Sequence, residues 1–130
     1  MKIKEKVIII VDDQMTQHKI DENSIYFLSH PCTNGNSTEI DNRLKEQKIY
    51  DKILEINPKA KIIRPLTIIP EKYDYDEAMW VCYTMVGVSS YVIFSPGWQH
   101  SKGCRLEHKY CIEHDIKRLY IFEEDVSAIK

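Results

Sequence analysis

A glutamate in an unusual position is the first residue that suggests chemistry. The segment from Ser101 to about Asp115 has the pattern of a helix, and at about 100° per residue Glu107 falls near the middle of its apolar arc. A carboxylate there is costly unless it is paired with another group or used in a reaction. The spacing leaves these readings open, because a buried Arg or Tyr partner, or a place at the exposed end of the apolar stripe, would also account for it.

The loop before this helix is a second candidate feature. Residues 95–103, Ser-Pro-Gly-Trp-Gln-His-Ser-Lys-Gly, join an apolar strand to the helix. Free backbone N–H groups at a helix N-terminus attract anions, so Ser101 and Lys102 predict an anion or phosphate site. Gly103 permits close approach in the first turn, and Trp98 offers a face for a base or sugar, although a single Trp more often packs in a core.

Other site chemistries are weaker in this sequence. The chain has neither a GxxxxGK[ST] nor a GxGxxG motif, which excludes ATP or NAD binding through those loops. Cys104, His108 and Cys111 share one side of the predicted helix, but structural zinc sites usually draw ligands from separate segments, so we predict no metal and no cofactor. The pair at residues 12–13, Asp-Asp, follows an apolar strand as the acidic pair of a receiver domain does, but the sequence has no matching Asp at the next strand end and no late Lys in register, so a solvated loop start is the favoured interpretation.

The elements that must position these residues alternate between strand and helix. Apolar runs predict strands at residues 6–11, 24–29, 61–64, 91–94 and 118–122. Capping patterns predict helices that begin at Asn36, Asp74 and Ser101. The first of these helices ends before Asn57-Pro58, and a rough apolar stripe runs along it: Ile40, Leu44, Tyr50, Ile53 and Leu54.

This alternation predicts an α/β fold with a mainly parallel sheet covered on both faces, formed by a single domain over residues 1–130. Ligands of such sheets bind at the carboxyl ends of the strands. The rule indicates the loops that follow residues 27–28 and 93–94.

Composition narrows the class of protein. The chain has 130 residues, of which 43% are hydrophobic and 29% charged, so it is too apolar for intrinsic disorder. A net charge of −2 argues against a partner that is a nucleic-acid polymer. The longest apolar run, residues 7–11, is far shorter than a membrane span, and four cysteines without a CxxC pair favour reduced thiols. We therefore expect a cytoplasmic protein without a membrane partner.

Three segments resemble the nucleoside 2-deoxyribosyltransferase superfamily, and most closely a small branch common in bacterial and phage genomes. They are Ile25–Pro31 (IYFLSHP), Tyr75–Met79 (YDEAM) with Cys82, and Pro96–Glu107 (PGWQHSKGCRLE). The resemblance covers residues 24–122, so that the strand at 6–11 is an addition. The Gly-Trp…Ser-x-Gly…Glu string is its most specific part.

The resemblance implies a fold and an activity. The fold is a Rossmann-like, flavodoxin-like three-layer sandwich, and the reaction is cleavage or exchange of the N-glycosidic bond of a deoxynucleoside or its 5′-monophosphate. Glu107 matches the nucleophile, which forms a glycosyl ester at C1′. Family members are commonly dimers or larger, with a neighbouring subunit completing the site, which implies a homo-oligomer here.

The resemblance also implies a set of substrate-binding residues. Tyr26 and the loop from Ser29 to Asn34, which includes His30, match the segment that lines the sugar pocket. Ser101 matches a serine that binds the 5′-phosphate. The motif loop adds Trp98, His100 and Gly103.

One departure from the family leaves an alternative function open. Many relatives carry Asp just before the strand at 91–94, where this chain has Ser89-Ser90. The candidates for a group that protonates the leaving base are Asp76, Glu77 and His100. The alternative is a non-catalytic nucleotide-binding protein that uses the same pocket.

Overall fold

The computed structural model describes residues 6–32, 39–70 and 72–125. Within those ranges five strands form one sheet, accompanied by four α-helices and a 3₁₀ turn. The strands are β1 Lys6–Val11, β2 Ile25–Ser29, β3 Lys61–Ile63, β4 Tyr91–Phe94 and β5 Lys117–Asp125. The helices are α1 Glu39–Ile56, α2 Pro65–Ile68, α3 Tyr75–Gly87 and α4 Lys102–Glu113, and the 3₁₀ turn is Trp98–His100.

The sheet is mixed, with strand order β1-β5-β4-β2-β3. Strands β3, β2, β4 and β5 are parallel to one another, whereas β1 pairs antiparallel with β5. The prediction of an α/β fold with a mainly parallel sheet is therefore confirmed at that level. The antiparallel edge strand is the strand that lies before the family-like region.

Side chains alternate between the two faces of each central strand, and helices cover both faces. Tyr26 and Leu28 of β2 pack in a core with Ile49 and Ile53 of α1. Phe27 lies on the other face, in a core formed with α3 and α4. Functional residues on β2 therefore face one of two separate environments, according to whether their number is odd or even.

Two of the predicted helix starts are confirmed by their caps. The Asp74 side chain accepts a hydrogen bond from the Glu77 N–H at 2.8 Å, and α3 begins at the next residue. The Ser101 side chain accepts one from the Cys104 N–H at 3.3 Å, and α4 begins at Lys102. The predicted cap at Asn36 lies outside the described residues, and α2 was not predicted.

The predicted apolar stripe of α1 is wrong in its first two turns. Ile40 is 72% exposed and Leu44 58% exposed, whereas Glu46 is buried. Glu46 accepts a hydrogen bond from Arg64 Nε at 3.0 Å, just after β3. A charged partner that lies 18 residues away keeps this polar side of the helix turned inward.

Candidate functional site

Glu107 lies in the second turn of α4 and is 5% exposed. Its Oε1 accepts a hydrogen bond of 2.7 Å from Ser29 Oγ, at the end of β2. The contact joins residues 78 positions apart and brings the carboxyl end of β2 against α4. The buried position predicted from helical spacing is confirmed, and the partner is a serine rather than Arg or Tyr.

Burial raises the pKa of Glu107 from its ordinary value of 4.5 to about 7. Hydrogen bonds from Ser29 and Cys82 act in the opposite direction, because they stabilise the ionised form. Near neutral pH the carboxyl group therefore exchanges between its acid and carboxylate forms. A group with that behaviour suits either proton transfer or nucleophilic attack.

A cleft of about 450 Å³ opens beside Glu107. It lies at the carboxyl ends of the parallel strands, where His30 follows β2 and Pro65 follows β3. The segment between β3 and the middle of α3 forms an apolar wall: Pro65, Leu66, Ile69, Tyr73, Tyr75 and Met79. A cavity of this size, mostly apolar with a few polar groups, is typical of a small-molecule site.

Five of the predicted site residues lie at this cleft. Glu107, His30, Ser101 and Gly103 line it, and Ser29 reaches it through its bond to Glu107. A Cβ on Gly103 would meet Met79 Sδ at 3.6 Å, which is ordinary contact, so the fold does not require glycine there.

Tyr26 lies on the opposite face of the sheet, which corrects the expectation that it lines the pocket. It is fully buried, and its hydroxyl shares a hydrogen bond of 2.9 Å with His18 Nε2. Its ring stacks on Tyr91 with centroids 5.4 Å apart. The alternation of β2 explains this, since Tyr26 and Ser29 differ by an odd number of residues.

Trp98 is also separate from the cleft, which corrects its assignment as a substrate-binding residue. Its ring stacks on His108 at 4.4 Å and packs against Phe94 at 5.1 Å. It borders a different hollow, next to Asp13 and Tyr120. Trp98 thus packs the loop after β4 against Phe94 of β4 and His108 of α4.

The predicted proton donors do not line the cleft. His100 is exposed in the 3₁₀ turn, and Asp76 and Glu77 are exposed in the first turn of α3.

Sequence reasoning missed Glu39, the other carboxylate among the described lining residues. Arg43 donates to it from Nε at 3.1 Å and also donates to the Leu66 carbonyl. The feature of the sequence that could have indicated this pair is the i, i+4 spacing of Glu39 and Arg43.

The thiols beside Glu107 are buried and protonated. Burial raises the pKa of Cys104 to about 12 and also raises that of Cys82. Both thiols line the cleft. Because a thiol is a weak nucleophile in its protonated form, Glu107 is the stronger candidate for nucleophilic attack.

His30 has an unusual environment for an imidazole. Both ring nitrogens are shielded from solvent, and a hydrogen bond with the backbone of Asn42 acts on the ring against the effect of burial. Burial lowers the pKa of His30 to about 4, so the ring is neutral at physiological pH. It lines the cleft one residue after the serine that holds Glu107.

Ser89 and Ser90 lie at the amino end of β4, away from the cleft. Ser90 Oγ accepts a hydrogen bond of 3.0 Å from the Ile25 N–H, at the start of β2. Ser89 Oγ donates to the Met85 carbonyl at 2.8 Å. The absence of Asp at these positions therefore does not alter the cleft beside Glu107.

Asp12 and Asp13 also have structural partners. Asp12 Oδ1 accepts backbone hydrogen bonds from Gln14 and Thr16, each 2.9 Å long, and Asp13 forms an ion pair of 2.7 Å with Arg118. Over the described residues no group of three or more His, Cys, Asp or Glu side chains could hold a metal ion. None of the described helices is long and apolar enough to cross a membrane.

The chain matches a known family over most of its length. The family described as "Domain of unknown function (DUF4406)" matches residues 37–120, which is more than half of the chain. The chain belongs to this family. The DUF4406 match includes Ser101, Gly103 and Glu107. It begins after β2, so Ser29 and His30 lie outside it. Searches of curated proteins and of solved structures gave no match.

Proposed function

We propose that this protein cleaves or exchanges the N-glycosidic bond of a deoxynucleoside or deoxynucleoside 5′-monophosphate, with Glu107 as the nucleophile. The observation that carries the proposal is the buried Glu107 carboxyl group, held by Ser29 Oγ at 2.7 Å at the side of a ligand-sized cleft. The similarity to nucleoside 2-deoxyribosyltransferases supplies the reaction class.

The strand order supports the Rossmann-like, flavodoxin-like part of the proposal. The flavodoxin fold has the strand order 2-1-3-4-5. When β1 is left out and the remaining strands are counted along the chain, the order β3-β2-β4-β5 corresponds to 2-1-3-4. Ligands of that fold bind where the order reverses, between the first and third strands. Here that place lies between β2 and β4, at the carboxyl edge where Ser29 contacts Glu107.

In the proposed reaction the ionised Glu107 attacks C1′ of the deoxyribose. A C1′–O bond forms as the C1′–N bond breaks, and the electron pair leaves with the base, which takes up a proton. Water then hydrolyses the glycosyl ester, or a second base displaces the carboxylate and completes an exchange. The low dielectric around the carboxylate strengthens its interaction with the positive charge that develops on the sugar.

The start of α4 supplies the part of the cleft proposed for a 5′-phosphate. Ser101 and Lys102 both line the cleft, and the backbone N–H groups of the first turn favour an anion there. Lys102 Nζ lies 5.1 Å from the centre of the Tyr75 ring, within the same opening. A monophosphate would thus place its sugar between this turn and Glu107.

Binding without turnover is the alternative function, and one observation favours it. Glu39 is the second carboxylate among the described residues of the cleft, and its Oε1 already accepts a hydrogen bond from Arg43. A leaving base would then depend on water for its proton. In this alternative the same cleft holds a nucleotide and leaves its glycosidic bond intact.

Release of free base from a panel of deoxynucleosides and their 5′-monophosphates tests the proposal. We expect release by the wild-type protein and a loss of at least about a thousandfold in Glu107→Gln, because the amide cannot form the ester. Glu113→Gln is the matched control, since Glu113 lies exposed on the same helix. Tight nucleotide binding without base release would favour the alternative.

The proposal includes a homodimer or larger homo-oligomer, as in the similar superfamily. Light scattering of the purified protein checks this part. A mass of 15.4 kDa in solution at every concentration would contradict it.

A further inference from the structure

The outer face of α3 exposes large apolar side chains to solvent. Trp80 is 72% exposed, and Val88, at the end of the helix, is 65% exposed. Thr84 lies midway between them, four residues from each, so the three side chains form one row along the helix. The Thr84 hydroxyl donates a hydrogen bond of 3.1 Å to the Trp80 carbonyl and is thus paired within the helix.

Charge is absent from this face beyond the first turn of the helix. Residues 78–90 include no Asp, Glu, Lys or Arg, although 29% of the chain is charged. The acidic residues of α3, Asp76 and Glu77, both lie in its first turn. Helix faces that meet water are normally rich in charged residues, whereas the centre of a protein interface is depleted in charge and enriched in aromatic residues. The outer face of α3 therefore has the composition of a covered surface.

We propose that this face is the contact between two copies of the chain, in which the two α3 helices cross antiparallel at Thr84 about a twofold axis. The inference goes beyond the proposed function, because it gives the homo-oligomer a surface and a symmetry. It makes no assumption about the substrate.

The spacing of the row favours a second copy as the occupant. A twofold contact pairs a surface with itself, so the residues on either side of the axis must fit each other. Trp80 and Val88 lie equally far from Thr84, about 6 Å along the helix in each direction. With the axis at Thr84, Trp80 of each copy meets Val88 of the other copy. The short side chain at the crossing point also lets the helices approach to the usual distance of about 8–10 Å.

The distribution of charge favours the antiparallel arrangement over a parallel one. Asp76 and Glu77 place negative charge only at the N-terminal end of α3. A parallel pair would bring these carboxylates of the two copies side by side, and juxtaposed like charges disfavour association. Crossing at Thr84 instead separates the two copies of Glu77 by about 20 Å along the helices. At that distance salt screens most of their repulsion.

The area available on this face indicates how far the contact extends. Trp80 alone offers roughly 110–180 Å² of exposed ring, given its 72% exposure and the usual size of an aromatic side chain. A standard interface buries about 800 Å² on each partner, with Trp among the residues that contribute most to binding. Trp80 is therefore the central anchor, and the contact continues beyond the row. Tyr83, half-buried and stacked on Tyr110 of α4 at 4.8 Å, lies on the side where it does so.

A charge placed in the row tests the contact. Light scattering over a dilution series should show wild-type protein at twice the chain mass of 15.4 kDa. Trp80→Lys should raise the Kd of the dimer at least about thirtyfold, because it replaces the anchor by a charge that the partner does not pair. Leu44→Lys is the matched control, since it makes the same kind of change at a 58% exposed apolar residue of α1. It should leave the Kd unchanged.

Mixing two variants tests the antiparallel arrangement. Val88→Glu should also weaken self-association, since each copy then sets its new charge against Trp80 of the other. An equimolar mixture of Trp80→Lys and Val88→Glu should recover the dimer, because the mixed pair keeps one native contact and joins opposite charges at the other. A mixture that associates no better than the separate variants would overturn the arrangement.

Thr84→Cys tests the position of the axis. A disulfide needs two Cα atoms within about 7 Å, and only a residue close to a twofold axis meets its own copy at that distance. With diamide as the oxidant, which takes one hydrogen from each thiol, we expect a covalent dimer. The controls are the wild type, with its four free cysteines, and Lys48→Cys, exposed on α1 at the other face of the sheet. Equal cross-linking of Thr84→Cys and Lys48→Cys would overturn the inference.

The outcomes distinguish this inference from the proposed function. A dimer that Trp80→Lys leaves intact would overturn the role of α3, while the homo-oligomer and the glycosidic chemistry would stand. Dissociation by Trp80→Lys of a protein that releases no base would do the reverse. A wild-type mass of 15.4 kDa at every concentration would overturn this inference together with the homo-oligomer, and base release would still test the chemistry.

Discussion

Glu107 is the residue at which stability and the proposed reaction conflict. Its pKa of about 7 in the folded protein exceeds the ordinary value of 4.5, so the unfolded chain loses this proton first as pH rises. Folding stability therefore falls between about pH 4.5 and pH 7, by roughly 3 kcal/mol in total, and stays lower above that range. Above pH 7 the buried, ionised Glu107 thus lowers the stability of the fold, whereas an uncharged amide at the same position would not.

Glu107→Gln should therefore stabilise the protein, and by more at alkaline pH. We expect a gain of up to about 3 kcal/mol in the free energy of unfolding at pH 8.5 and less than about 1 kcal/mol at pH 5. Urea titrations of both proteins at the two pH values measure this. An equal gain at both pH values would show that Glu107 is ionised throughout.

The same titration should govern the proposed reaction. Since the nucleophile is the carboxylate, base release should rise with pH and reach half its maximum near the pKa of Glu107, about 7. A rate that falls through this range would instead make Glu107 an acid that donates its proton.

Ser29→Ala should move this pH dependence. The Ser29 hydroxyl stabilises the carboxylate form of Glu107, so its removal raises the pKa of Glu107 and shifts the midpoint of the pH–rate profile upward by about one unit. The rate at high pH should recover much of its wild-type value. A uniform loss at all pH values with no shift would contradict this positioning role.

At the scale of elements, the sequence predicted features that depend on neighbouring residues, such as helix caps, but not features that depend on residues far along the chain. The caps at Asp74 and Ser101 were predictable because each bonds an N–H three residues away. The inward side of α1 was not, because burial of Glu46 depends on Arg64, which also lies 3.9 Å over the Tyr50 ring. A periodicity argument counts apolar residues and does not detect a buried ion pair.

The α1 ion pair gives a test at this scale. Glu46→Ala leaves the nearly buried Arg64 without its carboxylate, and we expect a loss of roughly 3 kcal/mol in the free energy of unfolding. Glu55→Ala, an exposed change on the same helix, should alter it by less than about 0.5 kcal/mol. Chemical denaturation compares the two, and equal effects would mean that the pair contributes little.

At the scale of the whole molecule, the cleft combines segments that are distant in sequence. The rule on strand ends correctly indicated the loops after β2 and β4, which supply His30 and Ser101. It also applies to the end of β3, where Pro65 begins the apolar wall, but it does not reach Tyr73, Tyr75 and Met79, which come to the cleft through tertiary packing. Tyr26 was assigned to the wrong face, although the period of two along β2 already separated it from Ser29.

The pairing of β1 with β5 also affects how the chain is made. On a ribosome β1 emerges well before β5, its one partner in the described sheet, because more than a hundred residues separate the two strands. Until β5 emerges, the run from Val7 to Val11 has no strand to join, and such apolar β-forming runs tend to associate with one another. The nascent chain must therefore keep β1 from aggregating until β5 has been made.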